Sequence, residues 1–519
     1  MKVSLVSPFP DITNHGLRTL SAVLRQHGHP TQLLFLPDYS GDESPVHRSL
    51  SQERYPRPVV EQFLERVRDA RLIGLSVMTH YVDSARQLTR AIHERYGTDK
   101  LVIWGGFHPS ARPEECLHHA DLVAVGEAED LILRLVEHLE AGELDDLSPV
   151  PSLAWKHGGR VVRNPMAPLE QDLDTYPPPD VSGEDHWVLH RGALHPLGPD
   201  LLHHFLRTGS ISRLYGRVGY QTMTGRGCPH CCAYCGNSYT RGLYPGERYV
   251  RFRSVEHVLG ELEEVKRRLP FVDLFWFSDD SFFARPLPDL LDFCEQYARR
   301  IGVPFYLLGS PRTITEDKLA AVVEAGLLGI QMGIEHGSPR IQSLFQRGGM
   351  SNEEILRAAH LVARYTDRIQ PPQYDLVYGL DYETLDDRLD TLRLIARLPK
   401  PYRLQVFSIV YYPGTALHSL AVRDGLIVDE RDEIYDRMYS ERHDSYTNTL
   451  LFLARGGRFP HRLLEVLASR GVARAMTSDR LAPAGAAVRA LLGGFRRVAR
   501  NPAVARARAV GGHHHGASG

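Results

Sequence analysis

The chain has 519 residues, 43% hydrophobic and 24% charged, with a formal net charge of −2. That length permits two or three domains with cores of their own, and the near-zero charge excludes a global electrostatic pull toward nucleic acid or anionic lipid. No apolar run is long enough to span a bilayer, and Met1 to Pro8 lack the apolar core and cleavage site of an export signal, so the cytoplasm is the expected compartment.

Val3 to Val6 reads as a buried parallel strand, followed by a helical pattern through Leu17, Leu20, Val23 and Leu24 that ends near Gly28. Then come Leu33 to Leu36 (strand), Val59 to Val67 (helix), Leu72 to Met78 (strand), Tyr81 to Tyr96 (helix) and Leu101 to Trp104 (strand). A short helix near Glu114, a strand Leu122 to Val125 and a helix Leu131 to Leu139 complete the set. Five strands alternating with helices predict a doubly wound α/β domain with a parallel sheet over residues 1–142, its ligand crevice at the strands' carboxyl ends.

Just past those ends the residues are small or polar: Asp11 to Gly16, Ser76, Gly105-Gly106 and Gly126-Glu127. Glycines there let a bulky planar ligand approach the backbone, although any such fold also needs turn glycines. With Trp104-Gly105-Gly106-Phe107-His108-Pro109 and Val125-Gly126-Glu127-Ala128-Glu129, residues 1 to 140 resemble the Rossmann-like cobalamin-binding domain found in front of many radical S-adenosylmethionine (SAM) enzymes. The resemblance implies cobalamin contacts from Asp11, Thr13, Gly16, Ser76, Gly105, Gly106, Gly126 and Glu127. Cobalamin domains that coordinate cobalt carry Asp-x-His-x-x-Gly, whereas Asp11-Ile12-Thr13-Asn14-His15-Gly16 has Thr13 at the histidine position. A threonine hydroxyl is a poor cobalt ligand, and His15, two residues off, is expected to point elsewhere; cobalamin is therefore expected without a protein histidine ligand.

Residues 143–215 predict a linker containing a hairpin, with Ser152 to Trp155 and Arg160 to Val162 flanking Lys156-His157-Gly158-Gly159. Pro177-Pro178-Pro179 leads into an irregular stretch with His186, His190, His195, His203 and His204, whose spacings match no regular metal-ligand set. From Val218 six strand-like runs alternate with helices: Tyr220 to Met223, Leu274 to Phe277, Phe305 to Leu308, Ile330 to Ile334, Tyr374 to Val377 and Leu404 to Ile409. They predict an open TIM-type barrel of six units over residues 216–430, with its chemistry in the loops at the carboxyl ends. Residues 431–519 read as a helical region. From Arg480 onward seven arginines and no acidic residue interleave with Leu491, Leu492, Phe495 and Val498, a frayed basic tail or an amphipathic helix in peripheral contact with a membrane.

Four of the six cysteines crowd into Gly227-Cys228-Pro229-His230-Cys231-Cys232-Ala233-Tyr234-Cys235-Gly236. Cys228-x-x-x-Cys232-x-x-Cys235 can place three thiolates on three corners of a cuboidal iron–sulfur cluster, leaving one iron open to a chelating ligand. Cys228-x-x-Cys231-x-x-x-Cys235 is a competing register. Structural zinc needs four closed ligands, usually as two distant pairs, and no second pair exists. With Tyr234 before the last cysteine, the loop resembles the Cys-x-x-x-Cys-x-aromatic-Cys signature of the cobalamin-dependent radical SAM superfamily, a resemblance covering about residues 1 to 430.

The resemblance selects Cys232 over Cys231 and implies a 4Fe-4S cluster on Cys228, Cys232 and Cys235. It further implies SAM contacts from Tyr234, Asp279, Asp280, Arg312, Glu335, Gly379 and Tyr412, although Asp280 or Glu335 alone would equally suit a helix cap or an ion pair. In this family the reduced cluster cleaves SAM to methionine and a 5′-deoxyadenosyl radical. The expected activity is methyl transfer from SAM, through methylcobalamin, to an unactivated carbon of a small molecule, with flavodoxin or ferredoxin as electron donor. Cyclisation, ring rearrangement or dehydration, with the first domain kept as a scaffold, remains an alternative, and a cobalamin-binding sensor with a structural metal site a remote one. The tail does not read as an RNA-binding β-barrel, so no nucleic-acid partner is expected.

Overall fold

A computed structural model describes residues 1–9, 11–37, 54–347, 349–436 and 445–477. The five predicted strands of the first domain form as β1 (Val3–Ser7), β2 (Thr31–Phe35), β3 (Leu72–Ser76), β4 (Leu101–Gly105) and β5 (Leu122–Ala124). They are parallel neighbours in the order β5-β4-β3-β1-β2, so the order reverses between β1 and β3 and opens a crevice at their carboxyl ends. The helix His15–Gln26 starts where the Asn14 side chain accepts from the Leu17 N–H, and it buries Leu17, Val23 and Leu24 on one face.

The stretch read as a linker contributes to the same sheet. Its hairpin, β6 (Leu153–His157) and β7 (Arg160–Arg163), pairs antiparallel onto β5. The His-rich part, read as irregular, supplies β8 (His186–His190) beside β2 and β9 (Ala193–Pro196) at the edge, giving nine strands in all. Period-two patterning is hidden there because His186 is an inward, fully buried polar residue, its imidazole paired with Asp180 at 3.2 Å.

The second sheet comprises β10 (Gly219–Thr222), β13 (Leu274–Phe277), β14 (Phe305–Gly309), β15 (Leu327–Glu335), β16 (Gln373–Tyr378) and β17 (Arg403–Ser408), all parallel and in chain order. These are the six predicted runs, and the sheet stays open between β10 and β17. After β10 comes a two-strand ribbon, β11 (Gly225–Arg226) and β12 (Arg251–Phe252), whose intervening residues 227–250 hold the cysteines. Outward-facing Ile330, Met332, Ile334, Tyr374, Leu376, Leu404 and Val406 are buried under the helices. Alternate residues of β15 and β17 point inward and are only half-buried, as is Asp375 on β16, so the lumen is reached by solvent.

Helix Ala416–Arg423 follows β17, and helices Tyr446–Ala454, His461–Leu467 and Arg470–Thr477 form the helical C-terminal region. No helix among the described residues is long and apolar enough to cross a membrane. The basic tail from Arg480, with its reading as a membrane-touching or disordered segment, lies outside the described residues.

Candidate active site

The carboxyl ends of the two sheets meet at one cavity of about 330 Å³. Its first-domain wall is built from glycine and small residues on successive strand ends: Gly74, Ser76, Gly105, Gly106 and Gly126. Gly106 has φ +101, and a Cβ there would come within 3.1 Å of the Val77 carbonyl, so no other residue fits without strain. Leu5, Leu17, Leu20, Ile103, Leu131 and Ile132 make the inner end an apolar slot between the sheet and its helices. Met223, Arg226, Gly227, Asn237, Tyr249 and Asp280 close it from the barrel side.

Of the residues expected at cobalamin, Gly16, Ser76, Gly105, Gly106, Gly126 and Glu127 line this cavity. Asp11 and Thr13 are not in its wall. Asp11 accepts the Thr13 N–H at 2.8 Å, and the Thr13 hydroxyl lies 3.2 Å from Gln221 Oε1 on β10. His15, expected to point elsewhere, does line the cavity; its buried Nε2 has no hydrogen-bond partner, and burial holds the imidazole neutral by lowering its pKa to about 4. A carboxylate is present too, but Glu127 is engaged by Arg226 at 2.8 Å and by the fully buried Arg251.

On the other side of the cavity stand the thiols. Cys228, Cys232 and Cys235 are unbridged and half-buried, whereas Cys231 is exposed with its sulfur 3.4 Å from Arg241 Nη1. Burial pushes Cys228 up to about 12 and Cys235 to about 11, and raises Cys232. Each sulfur also meets a donor that favours its thiolate: the His230 N–H at Cys228, the Asn237 N–H at Cys235, and Tyr234 and Arg347 at Cys232. Burial with N–H groups aimed at sulfur is the environment in which iron–sulfur clusters are held and tuned, so these residues fit a 4Fe-4S cluster. Among the described residues no three His, Cys, Asp or Glu side chains converge as the ligands of a single ion must; thiols on separate corners of a cluster stand further apart.

The residues expected at SAM divide into two groups. Tyr234 packs edge-on to Phe345 and hydrogen-bonds Glu335, and Asp280 lines the cavity and accepts from Gly227 N–H and the Asn237 side chain. Glu335, at φ +58, folds its carboxylate back over Gly333, where a Cβ would meet Oε1 at 2.3 Å. Arg347 stands 3.8 Å away and donates to the Gly333 carbonyl at 2.9 Å. Tyr234, Asp280 and Glu335, with Arg347, which was not among the expected residues, form one group around the thiols. The others are occupied elsewhere: Asp279 holds the Thr224 N–H and hydroxyl, and Arg312 pairs with Glu354 at the surface at 3.0 Å. Gly379, at φ +74, caps the Glu383 carboxylate, and Tyr412 hydrogen-bonds His80 of the first domain at 2.9 Å.

Sequence reasoning missed the lumen. Tyr306 hydrogen-bonds Gln331, Gln331 donates to Asp375 at 2.5 Å, and Gln373 donates to Gln405, a polar ladder running across β14 to β17. The signal was available as alternation: Gln331, Gly333 and Glu335 interleave with Ile330, Met332 and Ile334.

Two facing α/β sheets with three free thiols at their junction define a two-cofactor enzyme architecture. Residues 1–136 match the B12 binding domain and residues 222–395 the Radical SAM superfamily. The chain is 24% identical over 363 residues to an uncharacterized methyltransferase, PH0819, of Pyrococcus horikoshii, covering 69% of this chain and 71% of that one. It is 21% identical over 397 residues to the bacteriochlorophyllide d C-8(2)-methyltransferase of Chlorobaculum tepidum, covering 74% and 75%. Its fold is that of the radical SAM methyltransferase TsrM from Kitasatospora setae, solved with cobalamin and a 4Fe-4S cluster, with a TM-score of 0.61 and 17% identity over 82% of this chain and 78% of that one. The chain therefore carries a B12 binding domain ahead of a Radical SAM domain.

Proposed function

We propose that the chain is a cobalamin-dependent radical SAM methyltransferase acting on an unactivated carbon of a small, hydrogen-bonding molecule. The observation that carries this reading is the shared cavity, bounded on one side by Gly105, Gly106 and Gly126 and on the other by Gly227, Asn237 and Asp280 beside the thiols. When bound, the cluster supplies an electron to SAM and cobalamin carries the methyl group. The chain's own residues hold and orient these partners. The glycine rim lets a flat macrocycle lie on the backbone, and the apolar slot takes an aromatic tail. Glu335, kept beside Arg347, offers an acceptor at the barrel mouth, and Asp280 a second.

The substrate side is the half-open lumen, where Gln331, Gln373, Gln405 and Asp375 present donors and acceptors on one floor. Burial raises the Asp375 pKa well above its ordinary value, which favours the neutral carboxyl, a group that donates as well as accepts. A neutral amide-and-acid floor suits hydroxyl or amide groups of a substrate. Water is kept from the junction by close interdomain packing, in which a Cβ on Gly236 would meet the Phe107 ring at 2.6 Å and Tyr239 hydrogen-bonds the Ser110 carbonyl at 2.8 Å. A flavodoxin- or ferredoxin-type donor in the cytoplasm reduces the cluster.

Anaerobic reconstitution with iron, sulfide and hydroxocobalamin, followed by SAM and a reductant, tests the reading. Retained cobalamin with both S-adenosylhomocysteine and 5′-deoxyadenosine formed is expected. 5′-Deoxyadenosine alone would favour rearrangement chemistry, and failure to retain cobalamin would reduce the first domain to a scaffold.

A further inference from the structure

The cysteine excursion, residues 227–250, leaves and re-enters the barrel through β11 and β12, and each of those strands carries one arginine, Arg226 and Arg251. Both arginines end on the same carboxylate. Arg226 Nη1 lies 2.8 Å from Glu127 Oε2, and Arg251 Nη1 lies 3.2 Å from that oxygen while its Nη2 meets Oε1. Arg226 also reaches Glu129 at 2.5 Å, and Arg251 donates to the Glu170 carbonyl at 2.7 Å. The excursion is gripped within its length too: the Glu127 N–H donates to the Tyr244 hydroxyl at 2.8 Å, and a Cβ on Gly126 would meet that hydroxyl at 2.1 Å. Two successive residues at the end of β5 thus fix the start, the end and the interior of the segment bearing all three thiols.

We propose that Glu127 is a positioning residue, which sets the separation between the cobalamin cavity and the cysteine cluster by clamping both ends of the excursion. Its carboxylate already accepts three arginine N–H groups, so its work is on the thiol loop rather than on cobalamin. The inference rests on the reading of the thiol loop and the cavity as two cofactor sites. Fixing reacting centres is worth large factors, since a displacement of about 1 Å costs roughly 100-fold in rate.

The test is Glu127→Gln in the full chain loaded with cluster and hydroxocobalamin. Glutamine keeps the shape but cannot neutralise two guanidinium groups. Expected are an unchanged iron content, cobalamin affinity within about threefold of the parent, an altered magnetic coupling between cob(II)alamin and the reduced cluster, and a roughly tenfold or greater rise in 5′-deoxyadenosine relative to S-adenosylhomocysteine. Unchanged coupling overturns the proposal, as does an affinity loss of about tenfold or more with coupling unchanged in the retained fraction, which would make Glu127 a direct cobalamin contact. Should the variant fail to fold, Arg226→Lys, which keeps the charge and loses the two-pronged contact, must alter the coupling in the same way; unchanged coupling there also overturns it. The coupling needs only that both centres bind, so it decides the proposal even if the parent makes no methylated product.

Discussion

The two halves of the cavity are built by opposite means. The first-domain wall is backbone: glycines at the ends of β3, β4 and β5, an apolar slot behind them, and a buried neutral imidazole at His15. The barrel wall is mainly side chains, Met223, Arg226, Asn237, Tyr249 and Asp280, on the same side as the three thiols, Glu335, Arg347 and, deeper in the lumen, Asp375 and its glutamines. A backbone wall selects by shape, whereas a side-chain wall selects by charge and hydrogen bonding. Burial disfavours the charged form in both halves: it holds His15 and His108 down at about 4 and about 3, and it raises Asp279, Asp280, Glu335 and Asp375.

If the halves are separable, removing one should spare the other. The largest effect is expected from Cys232→Ala, which should abolish reductive SAM cleavage outright while hydroxocobalamin still binds with parental affinity. Loss of cobalamin in that variant, measured by spectrophotometric titration, would break the comparison. Next comes Gly105→Val. A Cβ there makes only ordinary contact with Ala124 Cβ at 3.6 Å, so the strand end tolerates it, but the branched side chain fills the cavity rim. Cobalamin affinity should fall by about 100-fold, or about 2.7 kcal/mol, with iron and sulfide content unaltered.

The smallest effect is the acid response. A folded-state pKa depressed below its unfolded value gives stability that is present above the unfolded value and lost as pH falls through the folded one. For His15 that window runs from 6.5 down to about 4 and is worth on the order of 3 kcal/mol. The raised barrel carboxyls act in the other sense: their contribution is complete below the ordinary carboxylate range and is lost as pH rises through their folded values. Denaturant titrations of the apo chain between pH 7 and pH 4 should therefore lose less stability in His15→Gln than in the parent. Equal losses would remove His15 from the account.

Most of the fold was legible because β1 to β5 and the six barrel strands are parallel and largely buried, so strands such as Val3 to Val6 and Leu274 to Phe277 read as continuous apolar runs. The sequence of residues 143–215 was less legible. Its β8 places His186 inward, and a buried polar residue satisfied by Asp180 looks the same in sequence as an exposed one. The thiol loop was legible as a cluster site from its spacing, which left Cys231 and Cys232 as alternatives until the resemblance chose between them. For Tyr412 and Arg312 the sequence does not give the partner, because a strand-end position does not say whether a side chain turns to the barrel mouth, to a neighbouring domain as Tyr412 does toward His80, or to a surface carboxylate as Arg312 does toward Glu354. His15 was misjudged in direction for a related reason. It is the first residue of the helix His15–Gln26, and its side chain turns into the cavity, while Thr13 is drawn off by Asp11.

The central claim is that one cavity joins two cofactor sites, and the most direct test is to locate the metals. Anomalous scattering at the cobalt and iron edges, from crystals of the loaded chain, should place cobalt against the Gly105, Gly106 and Gly126 rim. Iron should lie on Cys228, Cys232 and Cys235, with only the shared cavity between the two metals. Cobalt found away from that rim, or iron held by Cys231 in place of Cys232, would contradict it.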